Sequence, residues 1–355
     1  MEMRMHKTIA QLAIVAALLL GGMGASVQQS PAATALTYDA ETQGPAPIPP
    51  SERTLQTAAA ESWFKVSDEN HVLEGAIFDS DGNLLVCDVT DRCVVRLTPE
   101  RQRSTVIRME DFAPGGLAFH KEGRLFIAAL NLEKGLGTIV AVKPDGTEME
   151  TIIPPNAGYL PNDLVFDDQG GFYFTDFKGM ATNPEGGVYY TSPDFRTITP
   201  VLPHLAMANG VALSPDGKTL WATEFGRNLL HRIELADATN IATIGSSVPY
   251  HFIGPAPDSM RTDADGNVYV AMYGQGRVMV FNKNGIPIGQ IVLPGREQGK
   301  NLLSTSLAIR PGGRELYVVT GNTEGTEGAA IFHANAFSNG LLNSDVFSSV
   351  TFNKP

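Results

Sequence analysis

A short motif recurs six times along the chain, and its regularity constrains the fold more than any other feature. The clearest copy is NDLVFDDQGGFYFTD, from Asn162 to Asp176, with a polar start, an apolar run, a glycine turn and a second β-rich run. The other copies begin at Glu74, Gly115, Asn209, Asp258 and Thr305. Most copies start about 47 residues after the previous one, a spacing typical of propeller blades. One glycine occupies the same offset in every copy: Gly82, Gly123, Gly170, Gly217, Gly266 and Gly313.

Each copy predicts an antiparallel hairpin, because glycine supplies the positive φ that a tight turn needs. Most copies are followed by two further strand-like runs. The sequence therefore predicts an all-β, six-bladed β-propeller with four-stranded blades around a central channel. We expect AESWFKVSD (60–68) to form the outermost strand of the last blade, which would protect its edge. The other strands of that blade are expected from Thr305 onward, in AIFHANAF (330–337) and DVFSSVTF (345–352).

The N-terminal residues have the pattern of a secretory signal peptide. Arg4, His6 and Lys7 precede an apolar run from Ile9 to Leu20 and then small residues. This pattern predicts a signal peptide over 1–30 and a secreted or periplasmic protein, with an uncleaved anchor as the alternative. Residues 31–58 are rich in proline, alanine and threonine and are interpreted as a flexible lead-in. The propeller is expected to span residues 59–355.

Charge and cysteine content narrow the possible partners. The formal net charge of −12 argues against nucleic acid and anionic membrane surfaces. The body of the protein contains no apolar run of 18 residues, so no membrane span is expected in the mature chain. The two cysteines, Cys87 and Cys93, flank a predicted turn. In an exported protein they form a disulfide or remain two buried thiols, and the sequence leaves both open.

The first residue of each copy is informative, because the innermost strands of a propeller begin at one mouth of its channel. These positions form a predicted ring: Glu74, Gly115, Asn162, Asn209, Asp258 and Thr305. Two carboxylates and two amides in one ring suit a hard cation, and Ca²⁺ tolerates their irregular geometry. Mg²⁺ and Mn²⁺ remain alternatives, and Zn²⁺ is a weaker one because the ring lacks histidine and cysteine. The competing interpretation is that these side chains only cap strand starts.

Other polar residues are given structural or minor roles. Three acids end second strands and are expected to accept backbone hydrogen bonds: Asp88, Asp176 and Glu224. His71 and His120 are interpreted as packed or surface histidines. Candidate lid and specificity residues are placed on loops at the same mouth: Tyr159, Lys178 and Tyr273. No G-x-S-x-G, H-E-x-x-H, Walker or C-x-x-C motif occurs in the sequence.

Four segments carry a resemblance to a known family: LEGAIFDSDGNLLVCDV, PNDLVFDDQGGFYFTDFKG, ANGVALSPDGKTLWATE and PDSMRTDADGNVYVAMYGQGRV. Over roughly Glu74 to Thr320 the chain resembles the gluconolactonase, senescence marker protein and luciferin-regenerating enzyme family. It is most similar to the drug-responsive bacterial lactonase branch. The resemblance implies a six-bladed propeller with one catalytic divalent cation. The ligands it implies are Glu74, Asn162, Asn209, Asp258 and, from that branch, Ser259.

The resemblance also implies an activity. Asp258 would act as general acid and base in a secreted, cation-dependent lactonase that opens a small lactone to its hydroxy acid. Two alternatives stay open: another metal-dependent ester or phosphotriester hydrolase, and a non-catalytic binding propeller. Asn162 stands where that branch tends to have aspartate. A second, structural calcium is not expected, because its side-chain positions fall on Pro154, Gly135 and Ala157, with only Tyr159 retained.

Overall fold

The computed structural model describes residues 40–323 and 328–342. In these residues the regular structure is almost entirely β, and the helices are single 3₁₀ turns. Those turns span Ala40–Thr42, Pro50–Glu52, Pro155–Ala157, Phe225–Arg227 and Arg296–Gln298. None of the helices in the described ranges is long and apolar enough to cross a bilayer. The predicted signal peptide lies outside the described residues.

The first half of the described chain contains two leading strands and three blades. The leading strands are β1 (Gln56–Ala59) and β2 (Glu61–Ser67). Blade 1 contains β3 (Leu73–Phe78), β4 (Leu84–Asp88), β5 (Cys93–Leu97) and β6 (Arg103–Arg108). Blade 2 contains β7 (Ala113–Phe119), β8 (Leu125–Asn131), β9 (Leu136–Val142) and β10 (Glu150–Ile153). Blade 3 contains β11 (Pro161–Phe166), β12 (Phe172–Asp176), β13 (Gly186–Thr191) and β14 (Ile198–Leu205).

The second half of the described chain contains the other three blades. Blade 4 contains β15 (Ala208–Leu213), β16 (Thr219–Glu224), β17 (Leu229–Leu235) and β18 (Ile241–His251). Blade 5 contains β19 (Pro257–Thr262), β20 (Val268–Met272), β21 (Arg277–Phe281) and β22 (Pro287–Val292). Blade 6 contains β23 (Leu303–Ile309), β24 (Glu315–Gly321) and β25 (Ala329–Asn335), and β2 completes it.

The six blades close into a ring around a channel. Each innermost strand (β3, β7, β11, β15, β19 and β23) contacts the innermost strand of the next blade, and β23 returns to β3. The six-bladed propeller predicted from the repeats is therefore confirmed. Strand β2 pairs with β25 at the outer edge of blade 6, as expected for residues 60–68. The segment 345–352, which was also predicted for this blade, lies outside the described residues.

Glycine occupies the left-handed region in the turn between the first two strands of every blade. Five of the six predicted turn glycines have positive φ: Gly82, Gly123, Gly170, Gly217 and Gly266. In blade 6 the positive φ of 70° belongs to Gly312 instead of Gly313. That turn is one residue longer than in blade 1, since Ile309 pairs with Leu316 and Phe78 pairs with Leu84.

The segment before blade 1 is anchored to the outer side of blade 5. Strand β1 runs parallel to β22 as a fifth strand of that sheet. Glu52, which is 1% exposed, forms an ion pair of 2.5 Å with the fully buried Arg277 and accepts a hydrogen bond of 2.6 Å from the Tyr250 hydroxyl. The lead-in was predicted to be flexible over 31–58, and for residues 50–58 these contacts correct that prediction. A strand pairing and a buried charge pair are features that composition alone does not reveal.

The two cysteines lie on opposite faces of blade 1. Cys87 pairs across the sheet with Val94, whereas Cys93 pairs with Asp88, so the two side chains are offset by one position. Cys93 packs in the core between blades 6 and 1, and Cys87 packs in the core between blades 1 and 2. Both are buried free thiols. The disulfide alternative is excluded because alternate residues of a strand point to opposite faces.

Candidate metal centre

The innermost strands depart from regular pairing where the predicted ring begins. In blades 1, 3, 4 and 5 the register shifts at Glu74–Ile77, Pro161–Leu164, Ala208–Val211 and Pro257–Met260. A bulge of this kind re-aims side chains and leaves backbone groups out of the strand ladder, and bulges are frequent beside active sites. In blade 1, Glu74 is the last regularly paired residue before the irregular stretch. The irregular stretches of blades 3, 4 and 5 contain four predicted ligand positions: Asn162, Asn209, Asp258 and Ser259.

Three side-chain oxygens at this mouth are buried without a hydrogen-bond partner. They are Oε2 of Glu74, Oδ1 of Asn209 and Oδ1 of Asp258. Asn209 and Asp258 are each 3% exposed, and the Asn209 amide donates a hydrogen bond to the Asp258 carboxylate. Buried polar atoms are nearly always paired, so unpaired oxygens in one place need an explanation. A bound cation would provide one.

The charges at the site also favour a bound cation. The pKa of Glu74 is raised well above its ordinary value by burial, and then by the Asp258 and Asp163 carboxylates. Burial also raises the pKa of Asp258, and the nearby Asp163 adds to the rise, while hydrogen bonds from Asn209 and the Ser259 backbone oppose it. Three carboxylates share this region with one guanidinium, that of Arg261. When all are ionised, two negative charges remain uncompensated, which a divalent cation would neutralise.

The donors at the ring fit a hard divalent cation. Carboxylate and amide oxygens, arranged without regular geometry, are the ligands that Ca²⁺ accepts. Asn162 occupies the equivalent position in blade 3 and is half-buried. Ser259 follows Asp258 within the same bulge and is 2% exposed. The remaining ring positions contribute differently, since Gly115 has no side chain and the Thr305 hydroxyl donates to a backbone carbonyl.

Two charged residues inside the channel were missed by the sequence analysis. Asp163 is fully buried, and its Oδ2 accepts a hydrogen bond of 2.9 Å from Nη1 of Arg261. A signal for both was present in the repeats. The residue directly after the ring position is Asp163 in blade 3 and glycine or serine in the other five copies. The third residue after the ring position is Arg261 in blade 5 and alanine, valine or isoleucine in the other five copies. A single charged residue at each of two repeat positions that are otherwise small or apolar indicates an ion pair inside the channel.

Glycines beside the ring permit the close approach of neighbouring blades. A Cβ added to Gly116 would lie 2.6 Å from the Asn162 carbonyl oxygen and 2.8 Å from Oδ1 of Asp163. A Cβ added to Gly210 would lie 2.7 Å from the Asp258 carbonyl oxygen. Real Cβ atoms do not tolerate such distances, so any larger residue would push apart the strands that carry the site.

Three aromatic rings line one side of the mouth. Phe177, Phe225 and Tyr273 each follow the second strand of their blade, and successive ring centroids are 5.8 and 5.7 Å apart. The pKa of Tyr273 is raised by burial and then by the Asp258 and Glu74 carboxylates, which places its hydroxyl near both acids. The structure therefore brings this candidate residue to the predicted ring.

Tyr159 and Lys178, the other two candidate mouth residues, contact each other and Asp176. The Lys178 ammonium lies 6.0 Å from the centre of the Tyr159 ring and 4.0 Å from Oδ2 of Asp176. Lys178 also donates a hydrogen bond to the Gly158 carbonyl. These contacts tie both side chains to the loop before β11 instead of to the oxygens of the ring.

The acids that end the second strands are structural, as predicted. Asp176 accepts a 2.8 Å hydrogen bond from the Leu160 amide, and Glu224 accepts one of the same length from Ala206. Asp88 accepts a bond from the Asp91 amide and pairs with the His71 ring at 2.9 Å. His71, Asp88 and Asp91 bring possible metal donors within 4.8 Å of one another. Those hydrogen bonds already occupy both oxygens of Asp88, so these contacts give the cluster a structural role.

His120 belongs to an aromatic cluster at the end of the first strand of blade 2. Its ring centroid lies 5.0 Å from that of Phe166, 5.8 Å from that of Phe195 and 5.9 Å from that of Phe126. Burial lowers its pKa, which favours the neutral ring. His120 is therefore a packed histidine, as the sequence analysis expected.

The fold and the site together define a class: six-bladed propellers whose channel mouth presents converging oxygen donors. The chain belongs to the SMP-30/gluconolactonase/LRE-like family, whose model matches residues 72–322. A lactonase drp35 of Staphylococcus haemolyticus is 47% identical over 311 residues, covering 86% of this chain and 95% of the relative. The protein of the same name from Staphylococcus aureus strain USA300 is 44% identical over 309 residues, with the same coverage.

Solved structures share the fold at low sequence identity. The calcium-binding protein regucalcin of Agrobacterium tumefaciens superposes with a TM-score of 0.66 at 17% identity, covering 81% of this chain and 98% of regucalcin. A gluconolactonase of Xanthomonas campestris gives a TM-score of 0.63 at 17% identity, covering 79% and 96% of the two chains. At such identities the likeness supports the propeller fold alone.

Proposed function

We propose that this protein is a lactonase that depends on a divalent cation held at the ring, and that the chemistry of the donors favours Ca²⁺. The observation that carries the proposal is the set of three buried, unpaired oxygens on Glu74, Asn209 and Asp258. The names of the two staphylococcal relatives supply the substrate class, a lactone. Buried carboxylates with raised pKa values are typical of functional sites, because burial without a partner is costly.

Each ring residue has a distinct task in this proposal. Glu74 and Asp258 hold the cation and supply the negative charge that retains it. Asn162 and Asn209 donate neutral oxygens, so the bound cation keeps part of its positive charge. Ser259 adjoins Asp258 in the same bulge and contributes its hydroxyl. A cation bound there would supply Lewis-acid chemistry to the lactone carbonyl and would favour the negative charge that develops on its oxygen.

The proton transfers fall to Asp258. Its carboxylate takes a proton from water as the oxygen of that water attacks the lactone carbonyl. The ring C–O bond then breaks, and the same carboxyl returns its proton to the leaving alkoxide, which gives the hydroxy acid. The Asn209 amide, bonded to the Asp258 carboxylate, holds it in place during both transfers. The aromatic arc of Phe177, Phe225 and Tyr273 excludes water on one side of the mouth.

The proposal includes export of the protein. The basic residues Arg4, His6 and Lys7, followed by the apolar run to Leu20, support a secreted or periplasmic location. Extracellular calcium is abundant, so a site of moderate affinity would be filled there. Cell fractionation and N-terminal sequencing of the protein from its native host test this part, and a cytoplasmic chain that retains Arg4 would contradict it.

A substrate panel with controlled metal content tests the proposed activity. Sugar lactones, aliphatic lactones, aryl esters and a phosphotriester are offered to the chelated protein, and again after Ca²⁺, Mg²⁺, Mn²⁺ or Zn²⁺ is added. We expect lactone hydrolysis that disappears on chelation and returns with Ca²⁺. Cation-dependent turnover of aryl esters or the phosphotriester without lactones would replace lactonase by another hydrolase. Lactone turnover that survives complete removal of metal would contradict the proposed centre.

A further inference from the structure

Two buried threonine hydroxyls occupy the same position in neighbouring blades. Thr175 lies in β12 of blade 3 and Thr223 in β16 of blade 4, each one residue before the acid that ends its strand. Both are fully buried. Neither belongs to the predicted ring, and the proposed chemistry does not use them.

Each hydroxyl joins two blades through backbone groups of the site. The Thr223 hydroxyl accepts a 2.7 Å hydrogen bond from the Gly210 amide and donates one of 2.8 Å to the Asp258 carbonyl. The Thr175 hydroxyl accepts a 3.0 Å bond from the Asp163 amide and donates to the Asn209 carbonyl. In both cases the accepted bond comes from the bulge of the same blade and the donated bond enters the bulge of the next blade.

These backbone groups need partners because the bulges remove them from the strand ladder. The register breaks between Ala208 and Val211, and again between Pro257 and Met260. A buried amide or carbonyl without a partner is destabilising, so a hydroxyl that serves one of each stabilises the irregular backbone. A hydroxyl can do both because it has one donor and two acceptor lone pairs.

We propose that Thr175 and Thr223 are positioning residues that fix the backbone of Asn209 and Asp258 so that their side-chain oxygens converge on the cation. This inference rests on the proposed function, because it assumes a cation at the ring. Neither threonine touches the cation or the substrate. Each acts through the residue whose carbonyl it holds.

The other blades show where such a hydroxyl is used. The equivalent residues are Cys87, Ala128, Ala271 and Val319. Blades 1 and 5 have Cys87 and Ala271 at this position. The blades that follow them carry Gly115 and Thr305 in the ring, and neither of these is a proposed ligand. Blade 6 has Val319, but the Thr305 hydroxyl instead donates a 2.5 Å bond to the Leu73 carbonyl, directly before Glu74.

Blade 2 is the informative exception. Blade 2 has Ala128 at this position, and the next blade carries Asn162 in the ring. This ligand position therefore receives no hydroxyl from the second strand of the preceding blade. Asn162 is half-buried, whereas Asn209 and Asp258 are almost completely buried. The hydroxyls of Thr175 and Thr223 therefore accompany the two deeply buried ligands, whose backbone cannot bond to water instead.

The test compares two substitutions at Thr223. Thr223→Val keeps the shape and removes the hydroxyl, and Thr223→Ser restores it. Calorimetric titration of Ca²⁺ into each chelated protein gives Kd, and thermal unfolding of the same samples gives Tm. Loss of partners that orient metal ligands typically lowers metal affinity 10- to 100-fold. We expect such a loss in Thr223→Val and in Thr175→Val, and an affinity within about threefold of wild type in Thr223→Ser.

Thr138→Val is the matched control. The Thr138 hydroxyl is also buried and donates a 2.8 Å bond to the Ile153 carbonyl, but it joins two strands at the outer part of blade 2. We expect Thr138→Val to lower Tm without changing the Kd for Ca²⁺. If Thr223→Val does not fold, Thr223→Ala replaces it, since blades 2 and 5 already carry alanine at this position.

The outcomes separate this inference from the proposed function. Wild-type Ca²⁺ affinity in folded Thr223→Val or Thr223→Ala, or an equal loss in Thr138→Val, would overturn the positioning role alone. The proposed function would then stand, because wild-type binding and turnover do not depend on this result. A wild-type protein that binds no divalent cation would overturn both.

Discussion

Arg261 of blade 5 reaches across the channel to Asp163 of blade 3, with Nη1 2.9 Å from Oδ2. The same guanidinium donates to the carbonyl of Met260 in its own strand and at 3.4 Å to that of Ala76 in blade 1. On one side of this pair lie the ring oxygens. On the other side Arg261 lines a cavity of about 630 Å³, bounded by the far ends of the innermost strands. The pair therefore divides the channel and sets the depth of the proposed site.

Removal of Arg261 is expected to destabilise the propeller strongly. Arg261→Met leaves the Asp163 carboxylate buried and unpaired, which typically costs about 3–5 kcal/mol. Urea unfolding of chelated protein measures the loss, and the Asp163→Asn/Arg261→Met double variant should recover part of it. A loss below about 1 kcal/mol in the single variant would show that the pair does not stabilise the channel.

The anchor at Glu52 gives a second stability prediction. Glu52→Ala leaves the fully buried Arg277 without its carboxylate partner, so we expect a loss of about 3–5 kcal/mol in the free energy of unfolding. Glu41→Ala is the control, because Glu41 pairs with Arg53 at the surface, where a substitution typically changes stability by less than about 0.5 kcal/mol. Equal effects of the two substitutions would contradict the role given to the lead-in.

Asp176 should make stability depend on pH. Burial raises the pKa of Asp176 to about 6, so the folded protein binds this proton more tightly than the unfolded chain. The protonated carboxyl of Asp176 therefore favours folding at low pH. This contribution to the free energy of unfolding is lost as the pH rises through about 6. Asp176→Asn removes the cost of the buried charge, and Tm should therefore rise at pH 8 and change little at pH 4.

Glu224 is the natural comparison, because it occupies the same position in blade 4. Burial raises its pKa, but hydrogen bonds from His231 and the Ala206 amide outweigh burial and lower it overall. Its contribution is present above the ordinary pKa of glutamate and is lost at lower pH. Glu224→Gln should therefore lower Tm at pH 8. A fall in Tm for Asp176→Asn at pH 8 would contradict the contrast between the two acids.

Asp258→Asn tests the assignment of the proton transfers. The amide cannot take a proton from water, so kcat for a lactone should fall about 10²- to 10⁴-fold. Asp216→Asn, in an exposed turn of blade 4, should leave kcat unchanged. Circular dichroism checks folding, and calorimetry shows whether the cation still binds. Full turnover in a folded, cation-loaded Asp258→Asn variant would remove Asp258 from this role.

The sequence predicted the parts of the structure that repeat. Six glycine turns at one offset indicate six blades, and the first residue of each copy predicts four oxygen donors at one mouth: Glu74, Asn162, Asn209 and Asp258. This worked because a propeller converts equal positions in sequence into a ring in space. The outer strand β2 followed from the need to protect an edge.

The features that were missed break the repeat or connect distant segments. The Asp163–Arg261 pair joins residues 98 positions apart, and the Glu52–Arg277 pair joins residues 225 apart. The sequence left a disulfide and two buried thiols open for the cysteines, because it does not fix the register of a hairpin, and a shift of one residue reverses the face. The roles of the Thr175 and Thr223 hydroxyls could not be predicted from the sequence, because their partners are backbone groups that the bulges remove from the strand ladder.

Calorimetric titration of Ca²⁺ into the chelated wild-type protein, with lactone turnover measured on the same samples, tests whether a cation at the ring supports the activity. We expect one site per chain, and turnover that rises in proportion to its occupancy. Glu74→Gln removes one charge from the ring and should weaken both together, whereas Glu297→Gln, at an exposed surface position, should change neither. Absence of binding in the wild-type protein, or turnover independent of occupancy, would contradict the account.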